Sequence, residues 1–252
     1  MDRQTQRFFL LAFGWTWGWQ TPVMLGLQGP AALVCLGLAA IGPTLAAIVI
    51  TRGSIVRELR WRCPAGWLLV ALALPIAIRG AALALWAGSG HPLPDALIVM
   101  PALGGLLVPP LGEELGWRGL SYRRVADRHG RVRAGLLTGA AWAVWHVPIS
   151  LALGSGLEAI LSYLVLVTAG GVWMAWIYER SGRSITAPIV AHMAINAGLL
   201  AIVSGPALAI VGLGVAALTG FDLTRTKLSP RARVASAANR PRGPWSSPRC
   251  PR

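Results

Sequence analysis

At 252 residues, with 55% hydrophobic and only 13% charged residues, the chain lacks the polar surface that a water-soluble globule of this size requires. Its formal net charge of +14 lies in short basic clusters between apolar runs and in a C-terminal stretch, a pattern that fits orientation in a membrane and argues against a nucleic-acid partner. Three cysteines, Cys35, Cys63 and Cys250, share no short spacing, which excludes a disulfide framework and a CxxC metal knuckle.

Apolar runs of about 20 residues, long enough to cross a bilayer, predict an all-α polytopic membrane fold with about eight helices around an intramembrane polar cavity. They lie at 8–27, 31–51, 65–87, 96–117, 134–153, 157–178, 184–203 and 206–221. The first follows Arg3 and Arg7 as a signal peptide would, but it runs long and lacks a small-residue cleavage site, so it reads as a retained helix. With the N-terminus cytoplasmic, Arg52, Arg57, Arg60 and Arg62, then Arg123, Arg124, Arg128, Arg131 and Arg133, then Arg180 and Arg183 all fall in inner loops. The outer loops at 89–95, 154–156 and 204–205 hold no Lys or Arg, as the positive-inside rule expects. The expected location is the cell membrane, multi-pass, with both termini cytoplasmic. Residues 1–223 form one transmembrane domain with a motif core at 96–203. Residues 224–252, rich in Arg, Pro, Ser and Ala, form a basic tail expected to be disordered.

Ionisable side chains inside apolar runs mark functional sites by default. In Gly112-Glu113-Glu114-Leu115-Gly116-Trp117-Arg118-Gly119, Glu114 and Arg118 stand four apart and pair on one helix face. Glu113 points about 100° away, leaving its carboxylate for other work. Two further groups have the same spacing, Trp142-x-x-x-His146 and His192-x-x-x-Asn196, each aiming two side chains from one face. At about 1.5 Å per residue, Glu113 and His192 lie roughly 12 Å from the inner ends of their helices, and His146 and Asn196 roughly 18 Å. Three helices thus bring acid, imidazoles and amide to similar depth. Pro109 and Pro110, Pro148 and Pro188 stand close to these residues, so each site helix is expected to lose a backbone hydrogen bond near its polar group. Arg79 is left inside an apolar run without an assigned partner or role. No internal repeat of the kind that marks many transporters is visible, which disfavours a carrier.

Glu-Glu-x-x-x-Arg, aromatic-x-x-x-His and His-x-x-x-Asn, each on its own helix and in this order, resemble the CPBP family of intramembrane proteases. That family includes the CAAX prenyl endopeptidases of the Rce1 type and the bacterial Abi proteins. Trp142 stands where the family usually has phenylalanine. The resemblance implies hydrolysis of a peptide bond in a membrane-associated peptide or protein, delivered from the cytoplasmic side or from the lipid bilayer. Glu113 would be the general base, His146 would hold or polarise the water, and His192 and Asn196 would donate to the oxyanion. Glu114, Arg118 and Trp142 would support them. No cofactor is favoured; zinc would have Glu113, His146 and His192 as ligands, but no HExxH spacing preforms such a set. The family has been described both as metalloproteases and as glutamate proteases, and the metal-free route is preferred here. Two other readings stay open, a non-catalytic immunity or scaffold protein of the same fold and a proton-coupled transporter.

Overall fold

Pro43 cannot donate a backbone hydrogen bond, and in the computed structural model, which describes residues 2–91, 103–197 and 206–225, this shapes the first half of the chain. The long apolar stretch after residue 28 is broken at Ile41 into α2 (Gly29–Ala40) and α3 (Gly42–Thr51), with Pro43 in the first turn of α3. A helix continuing through Pro43 would leave the Ala39 carbonyl without its donor. Thr16 Oγ1 of α1 (Arg3–Met24) takes it instead at 2.8 Å, and Trp15 Nε1 takes the Leu38 carbonyl at 2.7 Å. In α1 the buried residues Thr5, Phe8, Ala12, Thr16 and Gln20 recur every three or four positions, the stripe that packs on α2 and α3. Asp2 caps the helix, accepting from Thr5 N–H at 2.7 Å. Burial works against its charge, but the bonds from Thr5 and the nearby Arg128 and Arg124 outweigh it and hold the carboxyl below its ordinary range.

The remaining elements are α4 (Ile55–Glu58), α5 (Ala65–Gly88), α6 (Leu103–Glu114), a π-helical segment (Leu115–Tyr122), α7 (Arg123–His129), α8 (Arg131–Trp145), α9 (Val147–Ala152), α10 (Leu157–Arg180), α11 (Thr186–Asn196) and α12 (Pro206–Arg225). No strand occurs among the described residues; one isolated parallel bridge joins Arg60 to Ser184. Five helical stretches are long and apolar enough to cross a membrane, Gly29–Thr51, Ala65–Gly88, Arg131–Ala152, Leu157–Arg180 and Pro206–Arg225. The all-α polytopic membrane fold is therefore as expected, with five of the eight expected spans standing out among the described residues. α1 is long enough at 22 residues but is not among the five, since its Gln, Thr and Trp side chains lower its mean hydropathy. The expected spans at 96–117 and 184–203, and the outer loops at 89–95 and 204–205, extend beyond the described residues, as do Cys250 and nearly all of the basic tail. α12 itself continues through Arg225.

The kink at Ile41 lets the acid-bearing helix approach closely. A Cβ at Gly112 would stand 2.6 Å from the Ala40 carbonyl oxygen, and one at Gly116 would collide with the backbone of Pro43. Only glycine fits at either place, one turn apart, on either side of Glu113 and Glu114. Below this contact Trp117 is fully buried, edge-on to Phe8 at 5.7 Å and to Trp145 at 6.1 Å. The arginine-rich ends of the helices are tied by ion pairs: Arg183 to Glu179 at 2.9 Å and to Asp127 at 3.6 Å, and Arg180 to Asp222 at 3.3 Å.

Candidate active site

Pro109 and Pro110 lie inside α6, and the helix widens into the π-helical segment directly after Glu114. Such widened turns are frequent at functional sites. Glu113, Glu114 and Arg118 are 2%, 0% and 3% exposed, burial that three ionisable groups tolerate only with partners. The expected pair forms, Arg118 Nη1 donating to Glu114 Oε1 at 3.0 Å. The same oxygen is 2.8 Å from His192 Nδ1, so Glu114 holds a histidine of another helix as well as Arg118. The supporting role expected of Glu114 thus extends to a residue of another helix.

Trp142 is the hub of the site. Its Nε1–H donates to Glu113 Oε2 at 2.6 Å, and its carbonyl accepts from His146 Nδ1 at 2.8 Å. Its ring lies 4.3 Å under the Arg118 guanidinium and 5.3 Å from the His192 ring. Since a carbonyl only accepts, His146 carries its proton on Nδ1 in the neutral form and leaves Nε2 for other chemistry. With Nδ1–H of His192 committed to the Glu114 carboxylate, Nε2 is likewise its free nitrogen; it donates when the ring is doubly protonated and otherwise accepts.

His146 sits at the junction of α8 and α9, where the helix breaks just before Pro148. The expected proline regularity holds only in part. Pro148 and Pro188 both fall in the first turn of their helices, where a missing N–H costs no intrahelical bond, so of these four prolines Pro109 and Pro110 alone interrupt a helix interior.

Trp142, His192 and Asn196 line a cavity of about 480 Å³ that runs along α10 to Leu153 and Ser155. Asn196 is the last residue of α11, one turn beyond His192. The far end of the cavity is the end of the bundle opposite the arginine-rich turns. Glu113 and His146 do not themselves line the cavity but are joined to its wall through Trp142 and lie within electrostatic reach of His192. Among the lining residues outside the sequence motifs, Tyr163 and Arg79 bring polar groups to the cavity. The Tyr163 ring is 5.5 Å from that of His146 and its phenol is within electrostatic reach of Glu113; Arg79 enters from α5. A polar tip within an apolar run was their only signal.

A zinc ion would need Glu113, His146 and His192 turned to one point. Among the described residues no three His, Cys, Asp or Glu side chains are grouped so as to hold a metal ion. One Glu113 oxygen is occupied by the Trp142 indole and Glu114 by Arg118 and His192. As packed, the donors do not fit a metal.

The profile of the family "Type II CAAX prenyl endopeptidase Rce1-like" matches residues 94–198. A CAAX prenyl protease 2 from Methanococcus maripaludis is 29% identical over 105 residues, which cover 38% of this chain and 39% of that relative's length. The matched residues 94–198 carry all three motif helices in order, and over this stretch, about two fifths of its length, the chain is similar to the CAAX protease family.

Proposed function

We propose that this chain is an intramembrane endopeptidase that hydrolyses a peptide bond of a membrane-associated substrate with a water activated by Glu113. The observation that carries this reading is the convergence of Glu113, His146 and His192 on one residue, Trp142, at the wall of a cavity also lined by Asn196. Glu113 Oε2 is fixed by the indole, so Oε1 takes the proton from water as the oxygen attacks the scissile carbonyl. The Nε2 of His146 accepts from that water and orients it. His192, held at Nδ1 by Glu114, and Asn196 beside it serve as the donors to the oxyanion as the carbonyl becomes tetrahedral, His192 through an Nε2–H; one such donor is worth about 3 kcal/mol. Glu113 then returns the proton to the leaving amine as the C–N bond breaks.

The metal-free route is proposed because one Glu113 oxygen is held by Trp142, Nδ1 of His146 by the Trp142 carbonyl and Nδ1 of His192 by Glu114, so these donors are engaged with protein groups and are not grouped around one point. The cell membrane and cytoplasmic termini are proposed on the asymmetry of the arginines. The test is cleavage of apolar reporter peptides by the purified full chain in lipid nanodiscs. Glu113→Gln and His146→Ala are expected to lower turnover by at least about 1,000-fold while the helical fold persists. Activity is expected to survive exhaustive chelation, and loss restored by zinc would reverse the metal-free assignment. Retained turnover in Glu113→Gln would remove the proposed base.

A further inference from the structure

The wall of the cavity carries a cation that the proposed hydrolysis does not use. Arg79 stands in the interior of α5, and its Nη1 is buried with no hydrogen-bond partner among the described residues. A snorkelling arginine carries its guanidinium along its apolar stem to water or headgroups. Arg79 instead lines the same cavity as His192 and Asn196. No Asp or Glu lines that cavity among the described residues, so nothing there balances the charge. An unpaired guanidinium among apolar helices is costly, and its planar fork matches a carboxylate with two parallel hydrogen bonds.

We infer that Arg79 forms an anion subsite that takes a carboxylate of the bound peptide and so places the substrate along the cavity. The inference rests on the endopeptidase reading for the identity of the occupant. The chemistry of the walls supports it: Ile78, Leu166, Val167 and Leu208 give apolar surface for side chains beside the one permanent charge among the described lining residues. Both a chain-terminal carboxylate and an acidic side chain near the scissile bond present the group Arg79 fits. A neutral substrate would leave the buried Nη1 of Arg79 without a partner.

Binding and cleavage are measured separately. Three dansyl-labelled octapeptides of Leu, Val and Ala are compared, one with a free C-terminal carboxylate, one amidated, and one amidated with a single Glu. Binding is read by anisotropy on the Glu113→Gln full chain in phosphatidylcholine nanodiscs, with Arg79 intact or changed to Gln or Lys. A carboxylate-bearing peptide is expected to bind roughly tenfold or more tightly than the amide. Arg79→Gln should remove the preference and Arg79→Lys restore part of it. Preference for the first peptide assigns the subsite to a chain terminus, and preference for the third to an acidic side chain. Equal binding of all three, binding of none, or a preference unchanged by Arg79→Gln overturns the inference. So does binding that follows added phosphatidylglycerol and ignores the peptide's charge, which would give the subsite to a lipid headgroup. Carboxylate-dependent binding without Glu113-dependent cleavage by the wild-type chain would leave the subsite standing and remove the protease reading. Glu113-dependent cleavage indifferent to Arg79 and to charge would do the reverse.

Discussion

At the scale of single residues, the site depends on one indole N–H and one doubly used carboxylate oxygen. Trp142→Phe keeps the ring against His192 and Arg118 but removes the 2.6 Å bond to Glu113. Turnover is expected to fall about 10- to 100-fold with KM nearly unchanged, because Trp142 acts through the orientation of Glu113. A change in KM alone would reassign the ring to substrate binding. Glu114→Ala should be worse for the fold than for any single contact, since it strands the buried Arg118 and releases His192. Breaking a buried pair in this way costs about 3–5 kcal/mol, measurable by thermal unfolding in detergent. His146, His192 and Asn196 were legible in the sequence because each belongs to an i, i+4 pair within an apolar run, and Glu113 because it adjoins the Glu114–Arg118 pair with its own carboxylate turned away. The roles of Trp142 and Tyr163 were not, since an aromatic residue in a membrane helix normally reads as packing and its polar tip gains meaning only from a partner on another helix.

At the scale of elements, the close approach of α6 and the π-helical segment to α2 and α3 fixes the depth of both acids. Gly116→Ala places a methyl group against the Pro43 backbone and is expected to cost about 1–3 kcal/mol. It should also abolish cleavage, because the carboxylates move with the helix. A variant that loses stability but keeps full turnover would show that the acids are positioned by Trp142 alone. The glycines flanking the acids were visible in the sequence, whereas their contact surface was not. That surface exists only because α2 and α3 part at Ile41, a break inside what reads as one uniform apolar span. The π-helical segment was equally hidden, since the Glu114 and Arg118 spacing is satisfied by an ordinary helix.

At the scale of the whole molecule, the arginine-rich turns and the far end of the cavity lie at opposite ends of the bundle. With cytoplasmic termini, Ser155 faces the outer side. In a background with Cys63 and Cys250 replaced by Ser, Ser155→Cys should react with a membrane-impermeant maleimide added to intact cells. Labelling should slow cleavage of a peptide that occupies the cavity. Reaction only after the cells are opened would invert the orientation. The positive-inside pattern alone predicts this orientation, since the five apolar helical stretches give spans by length and composition but no direction, and the labelling decides it.

The two carbonyls at the Ile41 kink bear on biogenesis. In hydrocarbon no water is available to replace the donors that Trp15 and Thr16 supply to Leu38 and Ala39. The first helix therefore acts as a template that must be in place before the second segment can adopt its bent form. A chain whose synthesis began at residue 28 would enter the bilayer without either side-chain donor at that bend, and its yield in the membrane is expected to fall below that of the full chain.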